Sequence, residues 1–191
     1  MIVIKTDIPG LLEIVPEVHY DERGSLYESY HEDRYRDEGI TNVFLQENFS
    51  ASSYGVIRGL HFQRPPFSQA KLAMCTSGKI WDVAVDLRVG SPTYGKWHGV
   101  LLDSEKHNQF LIPKGFAHGF SVLSDRACFS YRCDEYYHPE AEVGIAYNDP
   151  SLAIDWKVPE QSCIISEKDK QWPDMNRFDS PFVFQDLHTE G

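Results

Sequence analysis

The sequence predicts a mainly β chain, folded as an antiparallel sandwich or barrel with little helix. Apolar and polar residues alternate with a period of two through the middle of the chain. The strand-like runs are short and regularly spaced. Turn residues separate them at Ser77-Gly78, Gly90-Ser91-Pro92, Pro113-Lys114-Gly115 and Ser124-Asp125.

Taken in order, residues 11–15, 43–49, 54–62 and 71–76 read as strands. The next strand is the clearest, with Trp81, Val83, Val85 and Leu87 alternating with Ile80, Asp82, Ala84 and Asp86. Residues 97–102, 109–112 and 117–123 follow. Then Phe129 and Tyr131 alternate with Cys128, Ser130 and Arg132. Residues 32–38 suit two helical turns. A second short helix is expected to begin at Ser166, where Ser166-Glu167-Lys168-Asp169 has the form of a capping box with Asp in place of Glu. The tail, 176–191, is polar and interrupted by proline, and is expected to pack loosely. Within 54–62, strict alternation would put Arg58 and His61 on opposite faces. Gly59 lies between them, and glycine inside a strand often marks a bulge that shifts parity by one. A bulge at Gly59-Leu60 would bring both polar side chains to one cavity.

The chain has 191 residues, which suits one domain spanning 1–191. A chain of this size buries about 70% of its unfolded surface and needs no staple. Lys and Arg number 18 against 29 Asp and Glu, a formal net charge of −11. That balance argues against a nucleic-acid or membrane-surface partner, both of which favour a basic field. No run of 18 apolar residues is present, and the N-terminus lacks the features of a secretory signal. Cys75, Cys128, Cys133 and Cys163 form no C-x-x-C and no tight cluster. Reduced thiols in a cytoplasmic protein are the expectation.

No dinucleotide fingerprint, Walker loop, nucleophile elbow or H-E-x-x-H motif is present. What remains is a set of histidines, tyrosines, acids and bases on predicted strands. Two segments are similar to cupin barrels: Gly55-Val56-Ile57-Arg58-Gly59-Leu60-His61-Phe62-Gln63 and Pro113-Lys114-Gly115-Phe116-Ala117-His118. In metal cupins these segments supply a histidine pair with a following Glu, then a further histidine. Here Gln63 stands at the second histidine of the pair and no Glu follows, so only His61 and His118 survive. A catalytic metal normally takes at least three protein ligands, so no metal is expected. Asp82 and Asp86 share a strand face, but two acids make a poor hard-metal site, and both are assigned to the scaffold.

The first of these segments also resembles the signature of dTDP-4-dehydrorhamnose 3,5-epimerases. So do Gln69-Ala70-Lys71-Leu72, Trp81-Asp82-Val83-Ala84-Val85-Asp86-Leu87-Arg88, Ser91-Pro92-Thr93-Tyr94-Gly95 and Ile112-Pro113-Lys114-Gly115-Phe116-Ala117-His118-Gly119-Phe120. Asn148-Asp149-Pro150, Asp21-Glu22-Arg23-Gly24 and Ile165-Ser166-Glu167-Lys168-Asp169 extend the match over roughly 1–175. The resemblance implies a cupin-type jelly roll with short peripheral helices, a homodimer, a nucleotide-diphosphate sugar substrate and no metal or redox cofactor.

The reaction so implied inverts the carbons flanking a ketone. It needs a base on one face, an acid on the other, and a cation or donor at the enolate oxygen. On the resemblance, His61 is the base, Asp169 orients it, Tyr131 is the acid and Lys71 stabilises the enolate. The resemblance also implies that Arg23 and Arg58 meet the diphosphate, Arg23 from the neighbouring subunit, and that Tyr137 stacks on the thymine. Glu28, Gln46, Asn48, His118 and Glu142 match further substrate contacts. Read on residue type alone, each has an ordinary alternative. His118 suits a packed cupin remnant, Asp169 a helix-start acid, Lys71 a solvated strand-edge lysine, and Tyr131 one of ten tyrosines, most of them expected to be half-buried strand aromatics. Rival functions are a single-carbon epimerase on another nucleotide-linked 4-keto sugar, a non-catalytic sugar-binding cupin, and a metal cupin oxygenase or isomerase.

Overall fold

A computed structural model describes residues 1–185. Thirteen strands form two main antiparallel sheets and one hairpin. The strands are β1 (Ile2–Lys5), β2 (Leu12–Val15), β3 (Val18–Asp21), β4 (Gly24–Tyr27), β5 (Gln46–Ser53), β6 (Ile57–Gln63), β7 (Lys71–Ser77), β8 (Lys79–Asp86), β9 (Trp97–Asp103), β10 (Gln109–Ile112), β11 (Phe116–Val122), β12 (Arg126–Cys133) and β13 (Glu142–Gly144). One sheet runs β1-β2-β10-β7-β12-β5 and the other β13-β6-β11-β8-β9; β3 and β4 pair only with each other. From β5 onwards the chain passes repeatedly between the two sheets, giving the expected jelly-roll sandwich. The helix predicted at 32–38 forms as α1 (Glu32–Asp37).

Period-two alternation sorts side chains into three apolar layers. Ala73, Ile80, Ala84, Phe110, Phe120 and Phe129 meet between the sheets. The outer face of the five-stranded sheet, with Ile57, Leu60, Phe62, Val83 and Val85, is covered by Ile145, Leu152, Trp156 and Phe182. The outer face of the six-stranded sheet carries Ile14, Leu72 and Leu111 under Tyr35 and Ile40. Strand β8 buries side chains on both faces because both faces are covered.

The bulge expected in β6 is present. His61 pairs with His118 and Arg58 with Phe120, so three steps along β6 oppose two along β11. Gly59 sits at φ +126°, and a Cβ there would come within 2.5 Å of Gly119 Cα. Only glycine combines that backbone with that approach. The Gly59–Leu60 peptide is cis.

Two expectations are corrected. The helix predicted from Ser166 is a single 3-10 turn at Asp169–Gln171. The Asp169 N–H does donate to Ser166 Oγ (3.1 Å), as a capping box requires. The Asp169 carboxylate does not fold back on the turn, because His61 takes it. The tail is also less loose than expected. Phe182 is buried in the outer layer, and Phe184 N–H donates to Val89 O. Residues 186–191 of that tail lie outside the described residues.

Candidate active site

A cavity of about 680 Å³ opens between the sheets. Ten of the twelve site residues expected from the sequence line it: Gln46, Asn48, Arg58, His61, Lys71, His118, Tyr131, Tyr137, Glu142 and Asp169. Strand parity explains the gathering. On β12, Ala127 and Phe129 point into the inter-sheet core, so Tyr131 points the same way. On β7, Ala73 and Cys75 do so, and Lys71 follows. On β5 the half-buried Gln46, Asn48 and Ser50 face inward while Glu47, Phe49 and Ala51 are exposed. The bulge turns both Arg58 and His61 to the same side.

Two histidines of this cavity are each paired with an aspartate. His61 Nε2 lies 2.6 Å from Asp169 Oδ1. A carboxylate only accepts, so Nε2 carries the proton and the Nδ1 lone pair is left free. Burial pushes the Asp169 carboxyl up, but the hydrogen bond and charge of His61 outweigh it and hold its pKa below the ordinary range. Asp169 arrives from the far end of the sequence. The 162–169 segment runs along the start of β6, with Ile57 N–H donating to Ile164 O and Ile164 N–H to Gly55 O.

His118 Nε2 lies 2.5 Å from Asp82 Oδ1. Burial lowers the His118 pKa and overcomes the raising influence of Asp82, so this imidazole is neutral at pH 7. Asp82 is fully buried, faces inward with Ile80 and Ala84, and supports His118 from outside the cavity lining. Asp86 is scaffold, as expected. Arg88 Nε donates to it at 2.8 Å, and Ser91 and Thr93 hydroxyls donate at 2.7 Å.

Across the cavity, on the other sheet, burial pushes the Tyr131 phenol up to about 12. It is therefore a proton donor throughout the neutral range. Lys71 Nζ lies 5.6 Å from the Tyr131 ring centroid. Burial lowers its pKa, while Cys133, Asp82 and Glu142 act in the opposite direction.

At the cavity edge Tyr137 donates to Glu142 at 2.7 Å, and Lys168 Nζ bonds the same carboxylate oxygen. Burial raises Glu142, but these two donors outweigh it and its pKa lies below normal. Lys168 was missed in the sequence, although it sits beside Asp169 in the matched string. Gln63, at the position of a cupin ligand, is spent on structure. Its amide donates to Phe67 O (2.7 Å) and Tyr136 O (3.0 Å), and accepts from His138 N–H (2.6 Å). Among the described residues no three His, Cys, Asp or Glu side chains are grouped to hold a metal ion.

Arg23 and Glu28 are not brought to this chain's cavity. Arg23 sits at the tip of the β3–β4 hairpin, with its side chain 85% exposed and paired only with Asp21. Glu28 follows the hairpin and pairs with Arg34 of α1 at 3.0 Å.

The family model for dTDP-4-dehydrorhamnose 3,5-epimerase matches residues 5–177. The curated enzyme of that name from Methanothermobacter thermautotrophicus is 49% identical over 170 residues, 88% of this chain and 91% of that protein. The solved dTDP-6-deoxy-D-glucose-3,5-epimerase of Legionella pneumophila, in complex with dTDP-4-keto-L-rhamnose, superposes with a TM-score of 0.92. It is 49% identical, covering 96% of this chain and 98% of that one. A 3'-monoepimerase from Streptomyces bikiniensis, in complex with dTDP-quinovose, is 31% identical with a TM-score of 0.82, covering 88% and 85%. The chain belongs to the dTDP-4-dehydrorhamnose 3,5-epimerase family.

Proposed function

We propose that this enzyme inverts carbons 3 and 5 of dTDP-4-dehydro-6-deoxy-D-glucose, giving dTDP-4-dehydro-L-rhamnose. The ketone at carbon 4 acidifies the C–H bonds on both sides by delocalising charge into an enolate. Nδ1 of His61 takes the proton, and Asp169 stabilises the imidazolium that results. The Lys71 ammonium lies near the enolate oxygen, where charge develops in a water-poor cavity. Tyr131 returns a proton to the carbon from the opposite face. Each inversion leaves one extra proton on His61 and one too few on Tyr131, and exchange with solvent restores both.

The observation that carries this reading is the placement of base and acid on opposing sheets of one cavity, His61 on β6 and Tyr131 on β12. A binding module needs no such pairing. His118 and Asn48 then hydrogen-bond the sugar, and Tyr137 stacks on the thymine. Gln46 and Glu142 meet the nucleotide end. Arg58 and Lys168 line the same cavity and meet the diphosphate as cations. The exposed hairpin delivers Arg23 and Glu28 to the cavity of a second subunit in a homodimer. No cofactor takes part. The four free thiols fit the reducing cytoplasm.

Incubation with substrate in D2O, read by NMR, tests the proposal. Deuterium is expected at carbons 3 and 5, undiminished by chelator. His61→Ala should slow uptake by about 10²–10⁴-fold, the usual contribution of a positioned base. Tyr131→Phe should keep uptake and lose net inversion. Wild-type uptake in His61→Ala would remove the base assignment. The likeness to a 3'-monoepimerase supports a second reading, inversion at one carbon, which deuterium at a single position would establish.

A further inference from the structure

Trp172 follows the short turn that carries Asp169, and nothing above assigns it a task. Its indole packs against the His61 imidazole edge to face, with ring centroids 6.2 Å apart at 71°. The Lys168 ammonium lies over the indole, 5.8 Å from its centroid. The indole fits only because residue 144 is glycine. A Cβ there would stand 2.6 Å from Trp172 Nε1, and Gly144 is the β13 partner of His61 itself.

The indole N–H is buried without a hydrogen-bond partner among the described residues. Buried donors without a partner are rare and call for an explanation. A nearby acceptor is Asp169, three residues earlier in the chain and bonded to the imidazole that the indole packs against. Asp169 Oδ1 is taken by His61, while Oδ2 has only the long 3.3 Å contact from Gly59 N–H. The carboxylate thus has room for one more donor.

We propose that Trp172 is a positioning residue for the base. Its ring walls the imidazole on one flank, and its N–H serves the Asp169 carboxylate as a further donor. Acting through His61 and Asp169, it holds the 2.6 Å bond between them in line and screens it from water. This inference rests on His61 acting as the base, but it can be tested apart from that reading.

Two variants separate ring from N–H. Trp172→Phe keeps a flat edge and removes the donor; Trp172→Ala removes both. The first readout needs no substrate. The proton of the His61–Asp169 bond is observed by NMR at low field and identified by its loss in Asp169→Asn. It should move upfield and exchange faster with water in Trp172→Phe, and vanish into exchange in Trp172→Ala. With substrate in D2O, deuterium uptake should slow about threefold in Trp172→Phe and at least tenfold in Trp172→Ala, with KM within twofold of wild type in both. An unchanged low-field proton in Trp172→Phe overturns the proposal, as does a rate loss lying wholly in KM. If Trp172→Ala does not fold, Trp172→Phe decides alone. Should the wild type take up no deuterium, the epimerase reading fails, while the low-field proton still answers for Trp172.

Discussion

Individual side chains set how this protein responds to acid. Burial pushes the Asp86 and Asp149 carboxyls up, but hydrogen bonds from Arg88, Ser91 and Thr93 to the first, and from Ser151 and Met175 to the second, outweigh it. Both folded-state values therefore lie below the unfolded ones. Their stabilisation is complete above about pH 4 and is lost as pH falls through the folded values. His98 and His118 are lowered by burial. Lowered histidines bind fewer protons folded than unfolded, so their share of stability is complete above about pH 6.5 and declines as pH falls. The melting temperature should be level from pH 8 to 7, fall gently to pH 5, and fall steeply below 4. A melting temperature that rises from pH 7 to 5 in calorimetry would contradict this. Asp86→Asn strips the buried Arg88 guanidinium of its anion and should cost about 3 kcal/mol in chemical denaturation.

At the scale of elements, the bulge in β6 couples fold to chemistry. Without the extra residue, strict alternation would send either Arg58 or His61 to the outer face, among Leu60 and Phe62. Gly59→Ala tests this. The added methyl meets Gly119 Cα at 2.5 Å on a backbone at φ +126°. Unfolding should become easier by about 2 kcal/mol or more, and deuterium uptake should fall even where the protein is fully folded. Full uptake in a folded Gly59→Ala would show that the bulge does not position the base. This glycine was readable in the sequence because a parity conflict surrounded it. The long strands were readable because a buried face enforces alternation. The β3–β4 hairpin was not, since most of its residues are exposed on both faces and no apolar pattern records it. The turn at Asp169 was misread for a different reason. The Ser166 cap is formed locally, but a partner 108 positions away claims the acid, and a local motif carries no trace of that.

Over the whole molecule, charge and symmetry bear on the substrate. A net charge of −11 repels a diphosphate, yet the cavity lining holds Arg58, Lys71 and Lys168 against only Glu142 and Asp169. The anion is thus drawn to a local excess of cations inside an acidic surface. Arg23 would add a further cation, but it stands at the tip of a hairpin whose strands pair with no other strand among the described residues. On the proposed two-fold dimer each hairpin would reach the other subunit, and every complete cavity would combine two chains. Mixing Arg23→Ala with His61→Ala chains tests this directly. A mixed dimer then holds one cavity with both defects and one with neither. Random exchange makes half the dimers mixed, so about a quarter of wild-type activity should return from two nearly inactive parents. If Arg23 instead served its own chain, each cavity would keep one defect and mixing would restore nothing. Native mass spectrometry of the mixture establishes that mixed dimers have formed, and no return of activity in their presence would show that Arg23 serves the cavity of its own chain.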